Sequence, residues 1–473
     1  MKYIALTIGP IYKTLSSAKK TRELWGGSYL FSYIMRQIIS RFKEREFIVP
    51  YIKDTTIFES GKELGFFHDR FIFEAMEGDR EALDDVVVDV LTNLAHDMRI
   101  DYDFFKGYLQ INITEEEIKS NDKEKNPILR MTPYLDTSEL FYSVSQYTDN
   151  PLSKVLKGNN SFLTKDAFGE KKSFPSLPEI ALYDLKAKFD IKSMLGDNEL
   201  EIYDSEELKN KLKPYHKYYV IVHADGDSMG KVVESLTSTE DFQGFSKKLF
   251  EYCGASHKLI KDYGGETIFA GGDDLLFFAP VVSEEKTIFT LCDEISQDFD
   301  QRFADTEASL SFGVAIRYYK FPLYEALEDS RNLLFDDAKS GKKNNIAFSL
   351  TKHSGQTFKA VMHKGDTELY ENFKLLSSNI HGGDGIDNFL HSIHHKIDSN
   401  KVVLAEISSS RKRLQNFFDN YFKKEVHDEH YREFFEQLIE FMFEAYKNQN
   451  KEKALDSIYA TLRFIKFVQG DKA

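Results

Sequence analysis

Two adjacent aspartates, Asp273 and Asp274, follow Gly271 and Gly272 within the stretch GGETIFAGGDDLLFFAP, which runs from residue 264 to residue 280. β-forming residues lie on both sides of these four residues, so the stretch predicts a β-hairpin with the glycines and aspartates at its turn. Two carboxylates side by side repel each other in an apolar setting, and a divalent cation removes that cost. Mg²⁺ prefers carboxylate oxygens together with phosphate oxygens from a substrate. The motif therefore indicates a metal site for phosphate chemistry, although an ordinary Gly-Asp turn is an equal alternative for the motif taken alone.

An earlier segment carries a second set of such residues at the end of a strand. The strand predicted over 218–224 runs into Asp225-Gly226-Asp227-Ser228-Met229-Gly230-Lys231, and a helix predicted from about 241 to 262 leads to the hairpin. In a ferredoxin-like βαββαβ sheet this order places Asp225 beside Asp273. Two-metal nucleotide polymerases and cyclases use such carboxylates to hold the ions that clamp an attacking hydroxyl and a leaving pyrophosphate. With both motifs present at this spacing, the metal site is favoured over the simple turn.

Composition limits the classes of protein to which this chain can belong. The chain has 473 residues, 41% hydrophobic and 29% charged, which is typical of a globular protein with two to four domains. Its net charge of −15 is unlike that of a free-standing nucleic-acid binder, so an RNA partner needs a local basic patch or other subunits. The two cysteines, Cys253 and Cys292, are too few for a Cys₄ zinc site, and no zinc is expected. The sequence contains no signal peptide and no membrane span, which predicts a cytoplasmic protein.

The first 114 residues predict another β-α-β-β-α-β unit. Its strands are predicted over 3–8, 47–51, 70–74 and 107–114, and its second helix over 81–98. A helical pattern also begins at Ile11 and continues to Ile39, but Trp25-Gly26-Gly27-Ser28 interrupts it. One explanation is a kink or close helix packing. The other is a backbone that lies against a ligand, with Ser28 as a hydrogen-bond donor and Trp25 beside it.

The rest of the chain predicts one more sheet region and two helical regions. Residues 115–215 are charged and broken by turns, and we predict a helical linker domain there. After the hairpin, helices are predicted over 283–303 and 324–339, strands over 309–317 and 346–350, and a helical bundle over 352–473. The predicted fold class is therefore α+β, with two ferredoxin-like domains over 1–114 and 216–351, the linker and the bundle.

Three further features have both a structural and a functional explanation. Lysines 339, 342 and 343 lie around a predicted helix C-terminus, where they either satisfy the helix dipole or meet a triphosphate. The pairs His68-Asp69 and His96-Asp97 suggest an HD phosphohydrolase, but that chemistry needs two more ligands, so we favour packed or solvated histidines. Gly382-Gly383-Asp384 repeats the GGD motif without flanking strands, and it is interpreted as a loop.

Several stretches together resemble one family. They are TIGPIYKTLSSAKKTRELWGGSYLFSYIM, SFPSLPEIAL, HADGDSMGK, GGDD and YKFPLYEALEDSRNLLFDDAKSGKKN. This combination closely resembles the large subunit of type III CRISPR effector complexes, and the Cmr type (III-B) best of all. The resemblance implies a first palm domain, a linker, a second palm domain that bears GGDD, and a C-terminal helical domain.

The resemblance also implies an activity and its residues. Members of the family make cyclic or linear oligoadenylate second messengers from ATP when the complex binds target RNA. The implied ligands for two Mg²⁺ or Mn²⁺ ions, and the implied catalytic residues, are Asp225, Asp273 and Asp274. The implied nucleotide-binding residues are Gly226, Asp227, Ser228, Met229, Gly230, Gly271, Gly272, Lys339 and Lys342, with Trp25, Gly26, Gly27 and Ser28 facing the second nucleotide.

Two departures from the family pattern narrow these expectations. The chain begins directly at the first palm, so no HD nuclease domain and no DNA cleavage are expected, and the cysteine count leaves no zinc site in the linker. The implied partners are the other subunits of the complex, with crRNA and target RNA bound through it, and no membrane. The alternatives are a structural subunit with a vestigial nucleotide site, or a palm enzyme that joins AMP to a different adenosine-containing acceptor.

Overall fold

Two β-sheets organise the part of the chain that the computed structural model describes. The described residues are 1–59, 64–119, 122–140, 174–186, 189, 191, 201–204, 208, 211–378, 386–421 and 429–469. One sheet has four strands and comes from the N-terminal region, and the other has six strands and comes from the middle of the chain. Both predicted βαββαβ units are present, so the predicted α+β fold class is confirmed.

The first sheet has the strand order β2-β3-β1-β4, and all neighbouring strands are antiparallel. Its elements are β1 (Lys2–Gly9), α1 (Ile11–Ser16), α2 (Thr21–Arg41), β2 (Phe47–Val49), β3 (Arg70–Glu74), α3 (Asp79–Met98), α4 (Tyr102–Tyr108) and β4 (Gln110–Glu117). Alternate residues of β1 face opposite sides, and both sides are buried. Ile4 and Leu6 pack in the core that contains α2 and α3, whereas Tyr3 and Ala5 pack against the linker.

Helix α2 is continuous through Gly26 and Gly27, so the predicted interruption of the helix at Trp25–Ser28 is wrong. Two glycines inside a helix cost about 1 kcal/mol each relative to alanine. Burial outweighs that cost, because the whole segment from Leu24 to Ser32 is buried and the helix packs between the two sheets.

The described part of the linker contacts both sheets. Helix α5 (Pro127–Leu140) covers the outer face of the first sheet, where Met131 and Leu135 pack against Tyr3 and Ala5. Helix α6 (Leu177–Ala181) packs on the second sheet. The linker therefore helps to fix the orientation of the two sheets.

The second sheet has the strand order β12-β11-β10-β5-β7-β6. Its elements are β5 (Tyr218–Asp227), α7 (Met229–Ser235), α8 (Thr239–Tyr263), β6 (Glu266–Gly271), β7 (Asp274–Pro280), β8 (Val282–Ser283), β9 (Lys286–Thr287), α9 (Ile288–Arg302), β10 (Ser309–Tyr318), α10 (Leu323–Asn332), a π-helical turn (Leu333–Ala338), β11 (Asn345–Thr351) and β12 (Thr357–His363). The order β10-β5-β7-β6 is the ferredoxin-like order, and β11 and β12 extend it at one edge.

Two predictions about this region are wrong in detail. The helix predicted from residue 283 begins at Ile288, because a small ribbon of β8 and β9, which pair through Val282 and Ser283, precedes it. The pattern after residue 352 is not helical throughout, because β12 pairs with β11 along its whole length. The alternating burial of Ala360 and Met362 gives β12 the period of a strand.

The remaining described chain is helical. Its helices are α11 (Thr367–Ser378), α12 (Ile386–Ser399), α13 (Lys401–Ile407), α14 (Arg411–Tyr421), α15 (Glu429–Asn448) and α16 (Lys451–Gln469). Phe464 of α16 packs on Phe289 and Phe348, so these helices share the core of the second sheet. Across the described ranges, every helix is too short or too polar to span a bilayer.

The two sheets share one hydrophobic core. Trp25 and Leu30 of α2 belong to the same buried cluster as Ile221, Leu276 and Phe278 of the second sheet. The opposite face of the second sheet packs against α8 and α9 in a separate cluster. Side chains on the first face of β5, including that of Asp225, therefore lie toward the first sheet.

Candidate metal and nucleotide site

The end of β5 and the turn of the β6–β7 hairpin lie side by side. Strands β5 and β7 pair in antiparallel register up to Ala224 and Leu275, so the next residues along the two strands are Asp225 and Asp274. The backbone N–H of Gly226 donates a hydrogen bond to the Asp273 carboxylate. A Cβ atom at residue 226 would lie 2.5 Å from Asp273 Oδ2, so glycine is required there. The structure thus brings the two predicted carboxylate motifs together.

The hairpin turn uses both of its glycines. Gly272 has a φ of 66°, which a two-residue turn of this kind requires and which glycine adopts without strain. At Gly271 a Cβ atom would lie 2.9 Å from the Cβ atom of His68, which belongs to the first sheet. The glycines therefore serve the turn and the close approach of the two sheets.

The two hairpin carboxylates are held in an unfavourable electrostatic setting. Burial raises the pKa of Asp273, and the adjacent charge of Asp274 raises it further. The pKa of Asp274 is also raised, by the protein that surrounds it and by the charge of Asp69 across the cleft, although its own side chain keeps an exposed surface. Carboxylates that are crowded together without a cation are a frequent mark of a functional site.

Asp227 is placed differently from Asp225 and from the two hairpin aspartates. Its side chain is 1% exposed, and Oδ2 accepts hydrogen bonds from Ser309 Oγ at 3.1 Å, Ser311 Oγ at 2.7 Å and the Asn344 N–H at 2.9 Å. These bonds join β5, β10 and the loop before β11. Asp227 Oδ1 lies 3.7 Å from Lys339 Nζ, and the sequence-based prediction of a substrate contact at Asp227 stays a prediction.

Lys339 lies directly at the carboxylate cluster. Its ammonium group contacts Asp225 Oδ2 and donates a hydrogen bond to the carbonyl oxygen of Gly226 at 2.8 Å. Burial, and secondly the charge of Lys343, lower the pKa of Lys339 to about 8. The contact with Asp225 acts in the opposite direction, because a carboxylate favours the charged amine. The π-helical turn Leu333–Ala338 ends at Lys339 and carries it to this position.

Lys342 is not brought to the aspartates. Its ammonium group pairs with Asp366 Oδ1 at 3.1 Å, and its side chain is 69% exposed. Ser228 begins α7 with a φ of 60°, a strained conformation for a residue other than glycine. The first turn of α7, which contains Met229 and Gly230, follows directly, so its backbone N–H groups begin beside Asp227.

A cavity adjoins the end of β5. Its volume is about 480 Å³, and its lining includes Asp227, Ser228, Asp300, Lys343 and Asn344. The cavity therefore borders the Asp227 anchor and the start of α7. It provides space for part of a ligand beside the start of α7, although Asp225, Asp273 and Asp274 are not among its lining residues.

The residues predicted to face a second nucleotide are all buried in α2. Trp25 is 1% exposed, and its ring stacks on Tyr29 at 5.2 Å and on Phe174 of the linker at 5.7 Å. Gly26, Gly27 and Ser28 are also buried, and α2 packs against β6. In this conformation these four residues support the hairpin from behind and present no open surface to a ligand.

The pair His68-Asp69, which the sequence predicts to be packed or solvated, lies against the hairpin. His68 Nδ1 lies 4.0 Å from Asp69 Oδ1, and the two side chains are 23% and 41% exposed. Burial lowers the pKa of His68 and raises the pKa of Asp69. The position of the pair at the start of β3 was visible in the sequence, but the contact with Gly271 depends on how the sheets pack.

Two other motifs from the sequence lie elsewhere. His96-Asp97 lies on α3, where the His96 side chain is 89% exposed. Gly382-Gly383-Asp384 lies outside the described residues. Neither motif contributes to the geometry around Asp225.

His223 was also missed, although it precedes Asp225 by two residues on the same face of β5. Its Nδ1 lies 2.8 Å from Ser330 Oγ, and Ser330 donates its hydroxyl hydrogen to the carbonyl of Leu327. A serine hydroxyl has one hydrogen, so the His223 Nδ1 must be the donor in the first bond. Burial, and secondly the charge of Arg331, lower the pKa of His223 to about 3, which keeps the ring neutral.

The chemistry of these residues suits a divalent metal that shares its ligands with a substrate. Among the described residues, no group of three His, Cys, Asp or Glu side chains converges with metal-ligating geometry. Mg²⁺ commonly takes only one or two protein carboxylates and completes its shell with phosphate oxygens and water. Asp225, Asp273 and Asp274 are enough to give each of two ions one or two carboxylates, and the cation that contacts Asp225 in this structure is the Lys339 ammonium.

Two family models match the chain. One is the N-terminal region of the CRISPR-associated protein Cmr2, which matches residues 3–99, and the other is the second palm domain of Cas10/Cmr2, which matches residues 218–347. The chain is also 26% identical over 211 residues to the CRISPR system Cmr subunit Cmr2 of Pyrococcus furiosus, a match that covers 39% of this chain and 24% of that protein. The match therefore spans about a quarter of the length of this relative.

Solved structures share the fold at low sequence identity. A cryo-EM structure of the type III-B Cmr-beta complex bound to cognate target RNA contains a chain with a TM-score of 0.62 and 12% identity, over 99% of this chain and 83% of that chain. Crystal structures of a Csm1-Csm4 cassette match with a TM-score of 0.55, over 97% of this chain and 70% of that chain. One is in complex with cA4 at 13% identity, and the other with one ATP at 12% identity. At these identities the likeness concerns the fold alone.

Proposed function

We propose that this chain, which belongs to the Cas10/Cmr2 family, is the large subunit of a cytoplasmic, RNA-guided type III CRISPR effector complex. On binding of target RNA, it uses ATP and a divalent metal to form oligoadenylate second messengers. The reaction is the attack of one adenosine 3′-hydroxyl on the α-phosphate of an ATP. The crRNA and target RNA are bound through the complex, which suits a subunit with a net charge of −15.

The observation that carries this proposal is the meeting of Asp225 with Asp273 and Asp274 at the ends of neighbouring strands. Gly226 has no room for a side chain there, so the backbone is shaped around the Asp273 carboxylate. The raised pKa values of the two carboxyl groups mean that their ionised forms destabilise the folded state, so these residues do not stabilise the turn at neutral pH. An arrangement that is costly for the apo protein becomes favourable once a cation binds.

We assign each polar group near the aspartates a role in binding and orientation. Asp225, Asp273 and Asp274 would hold Mg²⁺ or Mn²⁺, and the bound metal would supply charge stabilisation at the α-phosphate and activation of the attacking hydroxyl. Lys339 moves from Asp225 to the triphosphate of the donor ATP, whose phosphates also meet the N–H groups at Ser228, Met229 and Gly230. Asp227 keeps this end of β5 in register with β10, as its bonds to Ser309 and Ser311 already do.

Bond making and breaking follow from these positions. The acceptor 3′-oxygen forms a new bond to the α-phosphorus, and the bond from the α-phosphorus to the bridging oxygen of the β-phosphate breaks. Pyrophosphate leaves with the electron pair of that bond, and the hydroxyl proton passes to solvent. Because Trp25, Gly26, Gly27 and Ser28 are buried behind β6, their role in this proposal is to hold the hairpin against the first sheet.

The decisive experiment uses the assembled complex. Incubation with ATP, Mg²⁺ or Mn²⁺ and target RNA is expected to release pyrophosphate and to yield adenylate products that mass spectrometry resolves. Absence of pyrophosphate release would favour a purely structural subunit with a vestigial nucleotide site. Pyrophosphate release that requires a different adenosine-containing compound would show that the acceptor is not ATP.

A further inference from the structure

An exposed arginine lies between two exposed aromatic rings where the two sheets meet. The Arg331 guanidinium carbon lies 4.6 Å from the ring centroid of Tyr12 and 5.1 Å from that of Phe335. Tyr12 is 43% exposed and Phe335 is 44% exposed. Tyr12 comes from α1 of the first sheet region, and the other two come from the α10 segment of the second. We call these three residues the aromatic clamp.

The aromatic clamp is close to the proposed catalytic aspartates. Ser330, the residue before Arg331, bonds to His223, which lies two residues before Asp225 on the same face of β5. Lys339, eight residues after Arg331 on the same helical segment, contacts Asp225. The eight residues, which include the π-helical turn Leu333–Ala338, separate Arg331 from Lys339 by about two helical turns. One nucleotide can bridge the distance between these two cations.

Arg331 carries a permanent positive charge on an exposed part of α10. Within the described ranges, Arg331 forms no ion pair at 4.0 Å or less. Stacking on aromatic rings uses the faces of a guanidinium and leaves its in-plane N–H donors free. The clamp therefore fixes a cation whose donors still need an anionic acceptor.

We propose that the aromatic clamp binds a 5′-phosphate of the acceptor nucleotide. The inference rests on the proposed function, and it adds the side of the cleft on which the acceptor lies. Lys339 and the start of α7 flank Asp225 at the end of the second sheet and serve the donor triphosphate, whereas Tyr12 belongs to the first sheet region. An acceptor whose 3′-hydroxyl is at the aspartates then extends its phosphates toward Arg331. Guanidinium groups recognise phosphate with paired N–H donors, which makes arginine suited to this position.

The test separates the donor from the acceptor by chemistry. In the assembled complex with target RNA, excess 3′-deoxy-ATP acts only as donor because it has no 3′-hydroxyl, either ATP or adenosine is supplied as acceptor, and only products that end in 3′-deoxyadenosine are counted. For Arg331→Gln we expect the KM for acceptor ATP to rise about tenfold to a hundredfold, in line with the loss of a charged hydrogen bond. The KM for acceptor adenosine should stay unchanged, since adenosine has no phosphate.

Other variants control for packing and for charge. Arg331→Lys should recover part of the loss, because it keeps the charge without the paired donors. Arg463→Gln is the matched control, since its guanidinium lies 5.1 Å from the Phe358 ring in the C-terminal helical region, and both KM values should match those of the unmodified complex. Thermal melting of each variant reports whether the fold is retained.

Three outcomes would overturn the inference. Equal KM values for acceptor ATP in Arg331→Gln and the unmodified complex would show that the clamp does not bind the acceptor. Equal losses with ATP and adenosine, together with weaker complex assembly or weaker RNA binding, would show that the clamp contacts another subunit or RNA. If the unmodified complex forms no product with either acceptor, the proposed function fails, and this inference fails with it.

Discussion

The two sheets share the ferredoxin-like strand order but hold their carboxylates in opposite electrostatic settings. In the first sheet region, Asp79 is 4% exposed, and both of its oxygens accept hydrogen bonds from Arg45, at 2.8 and 2.9 Å. Those bonds lower the pKa of Asp79. In the second sheet, Asp273 and Asp274 lie beside each other, and burial raises the pKa of both. The group beside the carboxylate is therefore more informative than burial: an arginine partner indicates a structural ion pair, whereas a second carboxylate indicates a candidate functional site.

The connections between strands also differ between the two sheets, because the second sheet carries closely spaced aspartates at the end of its first strand and at its hairpin turn. Strand β1 ends at Gly9 and is followed by a proline, but the corresponding β5 ends in Asp225, Gly226 and Asp227. The hairpin between β6 and β7 has a two-residue turn, whereas more than a dozen residues connect β2 to β3. The first sheet region has no short acidic turn between β2 and β3, and its His68 packs against Gly271 of the second. Under the proposed function, the second βαββαβ unit carries the metal ligands, and the first packs against the hairpin that bears them.

The largest effect that follows from this comparison is the loss of activity in the double variant Asp273→Asn with Asp274→Asn. Without the two charges the metal site loses most of its affinity, and product formation should fall about 10³-fold or more, equivalent to about 4 kcal/mol. The melting temperature should not fall, because the variant relieves repulsion. Pyrophosphate release and thermal melting of the assembled complex measure both. Retained synthesis would refute the assignment of the metal ligands.

For Asp79, which is paired with Arg45, we expect a loss of stability without a loss of activity. Asp79→Asn leaves Arg45 without its charged partner, and we expect a loss of about 2 kcal/mol in the free energy of unfolding. Product formation per folded molecule should be unchanged, because Asp79 is remote in sequence and structure from the hairpin. Asp84→Asn is the control: Asp84 pairs with Arg80 on an exposed face of α3, where ion pairs contribute little. If Asp79→Asn lowered activity at unchanged stability, the contrast between the two sheets would be wrong.

The fold and part of the site were predictable because they depend on local pattern. The strand before Asp225 and the hairpin around Asp273 have the period and the turn residues of their elements, so their order predicted the sheet. The continuity of α2 through Gly26 was not predictable, because burial between the sheets overrides the local cost of glycine. The alternating apolar residues of β12 were visible in the sequence, but the segments that follow have helical patterns, so this strand was included in the predicted helical bundle.

The remaining parts of the site depend on contacts between distant segments. Asp227 looks like Asp225 in the sequence, and only its bonds to Ser309 and Ser311 distinguish a positioning residue from a ligand. The contact between Tyr12 and Arg331 joins residues more than 300 positions apart in the chain. No local pattern carries such information.

The smallest expected effect is a pH dependence that differs between the two regions. Burial, and secondly the charge of Asp274, raise the pKa of Asp273 to about 7, and a metal binds the ionised form. Metal affinity and product formation should therefore decrease by about tenfold as the pH is lowered from 8 to 6. Stability should change in the other direction, because a carboxyl group whose pKa is raised by folding stabilises the folded state as it takes up its proton.

The pKa of Asp79 is shifted in the opposite direction from that of Asp273, so the two carboxyl groups affect the pH dependence of stability differently. Its pKa is lowered by Arg45, so its contribution to stability is complete above the unfolded-state value of 3.8 and is lost only as the pH falls through its lower folded-state value. Between pH 8 and pH 6, calorimetric Mn²⁺ titration should thus show weakening affinity while the melting temperature does not decrease. The Asp273→Asn with Asp274→Asn variant should lose any rise in melting temperature over this range. A metal affinity that stays constant from pH 6 to pH 8 would show that the hairpin carboxylates are already fully ionised, and that crowding does not distinguish them from Asp79.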